Sequence, residues 1–146
     1  MNLHDPEHYR VKHPTGTPPD PAIAAALAET AKDDRITCVE AHAIAQRLGV
    51  SPGEVGDTAD LVECRIIHCQ MGLFGYKPDK KIVKPAEEVV PELRDRLAAA
   101  VAAGGGQVDC ATLWGIAAEF SLEKMAVAAA CEALGIKIVR CQIGAF

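Results

Sequence analysis

Apolar residues recur at helical spacing along most of this chain. Ile23, Leu27 and Ala31 share one face of a helix that begins at Asp20-Pro21, where proline fits the first turn because its missing N–H would have no partner there. Asp33-Asp34 ends it. Thr37 with Glu40 makes a capping box, so a second helix starts there and turns Cys38, Ala41, Ile44, Ala45 and Leu48 inward. Ser51 with Glu54 makes another box, with Pro52 at the first helical position, and predicts a third helix to about Val62 carrying Val55, Ala59 and Val62. The pattern then changes. Arg65 to Met71 is rich in β-branched residues and reads as a strand, broken by Gly72 and Gly75. Ile82-Val83 predicts a short return strand before Pro85.

The same succession then returns. Pro91 to Ala103 reads as a helix with Leu93, Leu97 and Val101 on one face, stopped by Gly104-Gly105-Gly106. Asp109 caps a helix from Cys110 to Phe120, Glu123 to Leu134 forms the next, and Ile136 to Gln142 is a strand. Sliding the chain by 72 positions lays residues 36–74 on 108–146 with nine identities in 39 pairs. Chance would supply about two or three, so the period is a property of the sequence. The identities are Cys38/Cys110, Ile44/Ile116, Ala45/Ala117, Val55/Val127, Ile66/Ile138, Cys69/Cys141, Gln70/Gln142, Gly72/Gly144 and Phe74/Phe146. The organisation expected is an arm over 1–19, a first repeat over 20–75, a basic, proline-bearing linker or wing over 76–90, and a second repeat over 91–146. Each repeat alone would be marginally stable, which predicts shared apolar surface.

Composition agrees with a helical globular chain. Of 146 residues, 49% are hydrophobic and 4% aromatic, and alanine is abundant. The N-terminus is polar, and the apolar run Ala22–Ala28 is far too short to span a bilayer, so a cytoplasmic location without membrane association is expected. Six cysteines in that setting read as reduced thiols. Net charge is −5, and residues 20–75, with nine acids against four bases, account for it. A first repeat this acidic repels nucleic acid.

Ala45, Gly49 and Val55 stand fifth, ninth and fifteenth in a window that opens at Ala41. This resembles the helix-turn-helix signature: a small residue for a close helix crossing, glycine for a left-handed turn, and a β-branched wedge. Ala117, Ser121 and Val127 repeat it, with serine in place of glycine. With a helix before and strands after, each repeat resembles a winged helix. The fold expected is therefore mainly α with small β wings, in two tandem winged-helix-like repeats related by an approximate two-fold axis. The resemblance implies DNA binding through the third helix. The residues depart from that. Glu54, Asp57, Asp60 and Glu63 lie in or beside the first third helix, which has no Lys or Arg, and the second offers Lys124 and then alanines. Four carboxylates oppose the counterion release that drives phosphate binding.

Three functional readings remain. A non-enzymatic, protein-binding or self-associating regulatory module fits the acidic and alanine-rich faces. A DNA-binding regulator would use the basic loop Lys77, Lys80, Lys81 and Lys84, which also reads as a solvated linker. A thiol or metal site would use Cys64, His68 and Cys69, which are soft ligands, although the second repeat has Ile136 and Arg140 at the first two positions. Cys38 and Cys110 read as buried thiols. The segments Cys69-Gln70-x-Gly72-x-Phe74 and Cys141-Gln142-x-Gly144-x-Phe146 read as fixing a wing or joining the repeats. His4, His8 and His13 lie in the arm and read as a polar tail that could hold a divalent ion loosely. No nucleophile motif is present and the triple glycine lacks a phosphate-loop ending, so neither an enzyme nor a cofactor is expected.

Overall fold

A computed structural model describes residues 12–14, 16–78 and 81–145. The chain is mainly helical, with the order α1 (Pro21–Thr30), β1 (Arg35–Thr37), α2 (Cys38–Leu48), α3 (Pro52–Leu61), β2 (Arg65–Ile67), α4 (Pro91–Ala103), β3 (Val108–Asp109), α5 (Cys110–Glu119), α6 (Lys124–Leu134) and β4 (Ile138–Val139). It divides into two compact units. The first runs to Cys69 and takes in Ile143–Ala145, and the second runs from Gln70 to Gln142. The unit boundaries therefore differ from those of the sequence repeat, because residues 70–74 join the second unit and 143–145 the first.

In the first unit both capping boxes form. Glu40 N donates to Thr37 Oγ at 3.1 Å while Thr37 N donates to the Glu40 carboxylate at 2.9 Å, and Ser51 and Glu54 repeat the exchange. Each box satisfies N–H groups that a helix start leaves without partners. Ile23, Leu27, Ile36, Ala41, Val55 and Ala59 form the core where α1, α2 and α3 meet. β1 and β2 pair in parallel, Ile36 opposite Ile66. A parallel pair needs a crossover of a dozen or more residues, and α2 with α3 supplies it. Ile143 completes this core. Its carbonyl lies so close to Gly56 that a Cβ there would stand 1.6 Å from the oxygen, so α3 needs glycine at that position.

The second unit uses the same plan with different contacts. Leu97, Leu113, Ile116, Val127 and Cys131 fill its core, together with Met71. Asp109 accepts from Thr112 N at 2.8 Å and caps α5. β3 and β4 are parallel, with Val108 opposite Ile138 and Asp109 opposite Val139. These partners stand 72 positions beyond Ile36/Ile66 and Thr37/Ile67. Left-handed residues keep the same interval: Asp33 with Gly105, Asp34 with Gly106, Gly49 with Ser121, Glu63 with Gly135, His68 with Arg140 and Gly72 with Gly144. One of these pairs, His68 with Arg140, sets a side-chain-bearing residue with positive φ opposite another, a conformation that such residues rarely adopt.

The strands are shorter than their β-branched runs suggest. β2 stops at Ile67 because His68 has φ 53°, and β4 stops at Val139 because Arg140 has φ 50°. A left-handed residue cannot continue a ladder. The expected return strand over Ile82–Val83 is not formed. Instead the amides of Ile82 and Val83 both donate to the Gly72 carbonyl, at 2.8 and 3.1 Å, and close a turn. Among the described residues the named strand pairs are parallel, so in place of the wing with a return strand expected from the sequence each unit has a parallel strand pair that flanks the helix pair.

Candidate functional site

The turn between α2 and α3 shows why the sequence pattern has its spacing. Ala45 is buried, Gly49 closes α2 at φ 67°, and Val55 is completely buried. In the second unit Ala117 and Val127 are buried in the same way, and Ser121 accepts φ 54°. These turns fix which faces of α3 and α6 reach solvent.

The exposed face of α3 is acidic. Glu54 and Asp57 are exposed, and Asp60 is half-buried. Asp60 is also occupied: Lys12 Nζ lies 3.1 Å and His13 Nε2 2.9 Å from the same carboxylate oxygen. Lys12 also donates to the Gly144 carbonyl at 3.1 Å. Residues 12–13 are thereby clipped to α3, whereas the sequence placed them in an arm. α6 has one cation, Lys124, and its ammonium sits 4.4 Å from the centroid of the half-buried Trp114 ring. Such a cation–π contact holds the ammonium over the indole.

The basic loop is only partly free. Lys77 and Lys84 are exposed, and Lys81 forms an ion pair with Glu132 of α6. Lys80 lies outside the described residues, as do His4, His8 and Phe146. The loop is anchored through Val83, which is buried.

The cysteine–histidine set does not assemble into a ligand cluster. Cys64 and Cys69 are buried while His68 is exposed. The described His, Cys, Asp and Glu residues that do gather are His13, Asp57 and Asp60, with one ligand atom of each within 4.8 Å of the others. Burial pushes the Cys64 thiol up to about 11, with Asp34 and Glu40 adding to it, and burial does the same to Cys131 beside Glu132. Both thiols are therefore held protonated at neutral pH, the opposite of what a nucleophile or metal-binding thiolate needs. Cys38 and Cys110 are buried as the sequence suggests. The repeated Cys-Gln segments form turns and tails. Gln142 Nε2 donates to Cys110 Sγ at 3.4 Å, and Cys110 in turn lies 3.7 Å from Met71 Sδ.

A depression of about 320 Å³ in the second unit is lined by Arg96, Arg140, Asp109 and Thr112 among small apolar residues. Its charges are largely matched. Arg96 forms a bidentate pair with Glu119 at 2.9 and 3.1 Å, and the bonds from Thr112 hold Asp109 below the ordinary carboxylate range. No helix is long and apolar enough to cross a membrane among the described residues.

The clip at His13 went unrecognised in the sequence because prolines surround it. A signal was present: Pro6, Glu7, Val11 and Lys12 stand 72 positions before Pro78, Asp79, Val83 and Lys84. The interval of 72 thus recurs in the presumed arm, although α1 and α4 begin 70 positions apart. No known protein family, curated protein or solved structure matches this chain.

Proposed function

We propose that the chain is a non-catalytic regulatory module that binds protein, built on two helix-turn-helix-like repeats in which a parallel strand pair stands in for the winged-helix hairpin. The matched strand registers and left-handed positions support the duplicated scaffold. One observation carries the functional reading. α3 exposes carboxylates and has no Lys or Arg, while the single lysine of α6 is drawn over Trp114. In a DNA reader these helices would meet phosphates and base edges; α3 supplies no cation for such binding and α6 only Lys124, which is drawn over Trp114. Acidic and alanine-rich helix faces suit contact with a protein surface. The exposed apolar side chains Val39, Val62 and Leu122, in or next to the helix pairs, add contact area.

Fluorescence anisotropy with duplex DNA over a range of salt tests this reading. We expect no salt-dependent association. Affinity that falls steeply with added salt overturns the proposal and favours the Lys77, Lys81 and Lys84 loop. A photo-cross-linking residue at Val62, exposed at the end of α3, should capture a discrete protein in cells, and capture of nucleic acid there would also overturn it.

A further inference from the structure

We propose that His13, Asp57 and Asp60 form a binding site for one divalent transition-metal ion of the zinc and cobalt class. Asp57 and Asp60 stand three residues apart on α3, so both carboxylates project from one face of the helix. His13 reaches them from the segment before α1, and its Nε2 already lies 2.9 Å from Asp60 Oδ2. The three ligand atoms lie within 4.8 Å of one another. Ligands about 2 Å from a tetrahedral ion sit roughly 3.3 Å apart, so the set closes by at most about 1.5 Å. Asp57 is exposed and free to swing by that amount, while His13 and Asp60 are half-buried and hold the frame. One imidazole and two carboxylates suit a borderline divalent ion, which would complete its shell with water.

Charge points the same way. Lys12 pairs with Asp60, and Asp57 stands beside that pair as a second carboxylate. A dication replaces the ammonium at Asp60 and balances both acids, and Lys12 keeps its bond to the Gly144 carbonyl. The second unit provides an internal contrast. There Glu132 stands where Asp60 does and meets Lys81, but Ala129 replaces Asp57, so the ion pair is present without a second carboxylate ligand.

Isothermal titration of the full chain with Co²⁺, combined with its absorption spectrum, tests the site. The expected result is one ion per chain, without the intense near-ultraviolet absorption of thiolate-bound cobalt. His13→Asn and Asp57→Asn should each weaken binding at least tenfold, and Lys12→Met should tighten it several-fold by removing the competing cation. Far-UV circular dichroism reports folding; should His13→Asn unfold, Asp57→Asn, altered at an exposed position, decides. Absence of binding, thiolate absorption, or unchanged affinity in Asp57→Asn overturns the proposal. The protein-binding reading stands or falls separately, since it does not depend on a metal.

Discussion

At Gly56 the packing of the first unit turns on a single hydrogen atom. A methyl group there would meet the Ile143 carbonyl at 1.6 Å, so either α3 or the 143–145 segment must move. Gly56→Ala should destabilise the protein by roughly 3 kcal/mol, the upper end of overpacking costs, as chemical denaturation would measure. Thr37→Ala, which removes one capping box, should cost about 1 kcal/mol in the same assay. The two sites differ in how far the sequence exposes them. A capping box is local, four residues long, and was legible. The Gly56 contact joins residues far apart in the chain, and no local pattern announces it. The buried thiols make a further prediction. Cys64 and Cys131 titrate near 11 in the folded chain against an ordinary value of 9.0. Their contribution to stability is full below pH 9 and is lost as pH rises from about 9 to about 11. The denaturation midpoint should fall across that window, and replacing both with alanine should flatten the fall. At pH 7.5 an alkylating reagent should reach Cys141, the one half-buried cysteine, before the others.

Between residues and whole units, the helix pairs allow a comparison within one chain. Gly49 and Ser121 occupy the same left-handed turn, at φ 67° and 54°. Serine at such an angle bears a steric cost that glycine escapes. Ser121→Gly should therefore stabilise the second unit by about 1 kcal/mol, and Gly49→Ala should destabilise the first by about 1–2 kcal/mol, both read from denaturation curves. The helices themselves were legible to within a residue or two, because caps and apolar spacing are written in neighbouring positions. The strands were less so. Their β-branched runs mark where a ladder begins, but His68 and Arg140 adopt left-handed angles that their residue types do not advertise, and these end it. Strand direction was illegible for a different reason. A hairpin is signalled by its turn, whereas the pairing of β1 with β2 depends on how α2 and α3 return the chain.

For the molecule as a whole, the period of 72 residues was visible in the sequence, yet it did not mark the boundaries of the compact units. The repeat ends with Cys-Gln-x-Gly-x-Phe, whereas the first unit ends at Cys69 and recruits Ile143–Ala145. Met71 and Ile143 are equivalent in sequence and both are buried, but they belong to different units. The clip on Asp60 was missed for a related reason: the composition of residues 1–19 suggested solvent, and the contacts of Lys12 and His13 with Asp60 correct that. A fragment spanning 20–75 should accordingly fail to fold, with little helical circular dichroism, because it lacks both Ile143 and the clip at Lys12 and His13. The borrowed segment also imposes an order of events during synthesis. Domains generally fold as the ribosome releases them, amino-terminal first. Here α1, α2 and α3 emerge early yet stay incomplete until residues 143–145 have been translated, at about 5–20 residues per second. For those seconds α3 at Gly56 lacks the Ile143 carbonyl that closes over it in the folded chain.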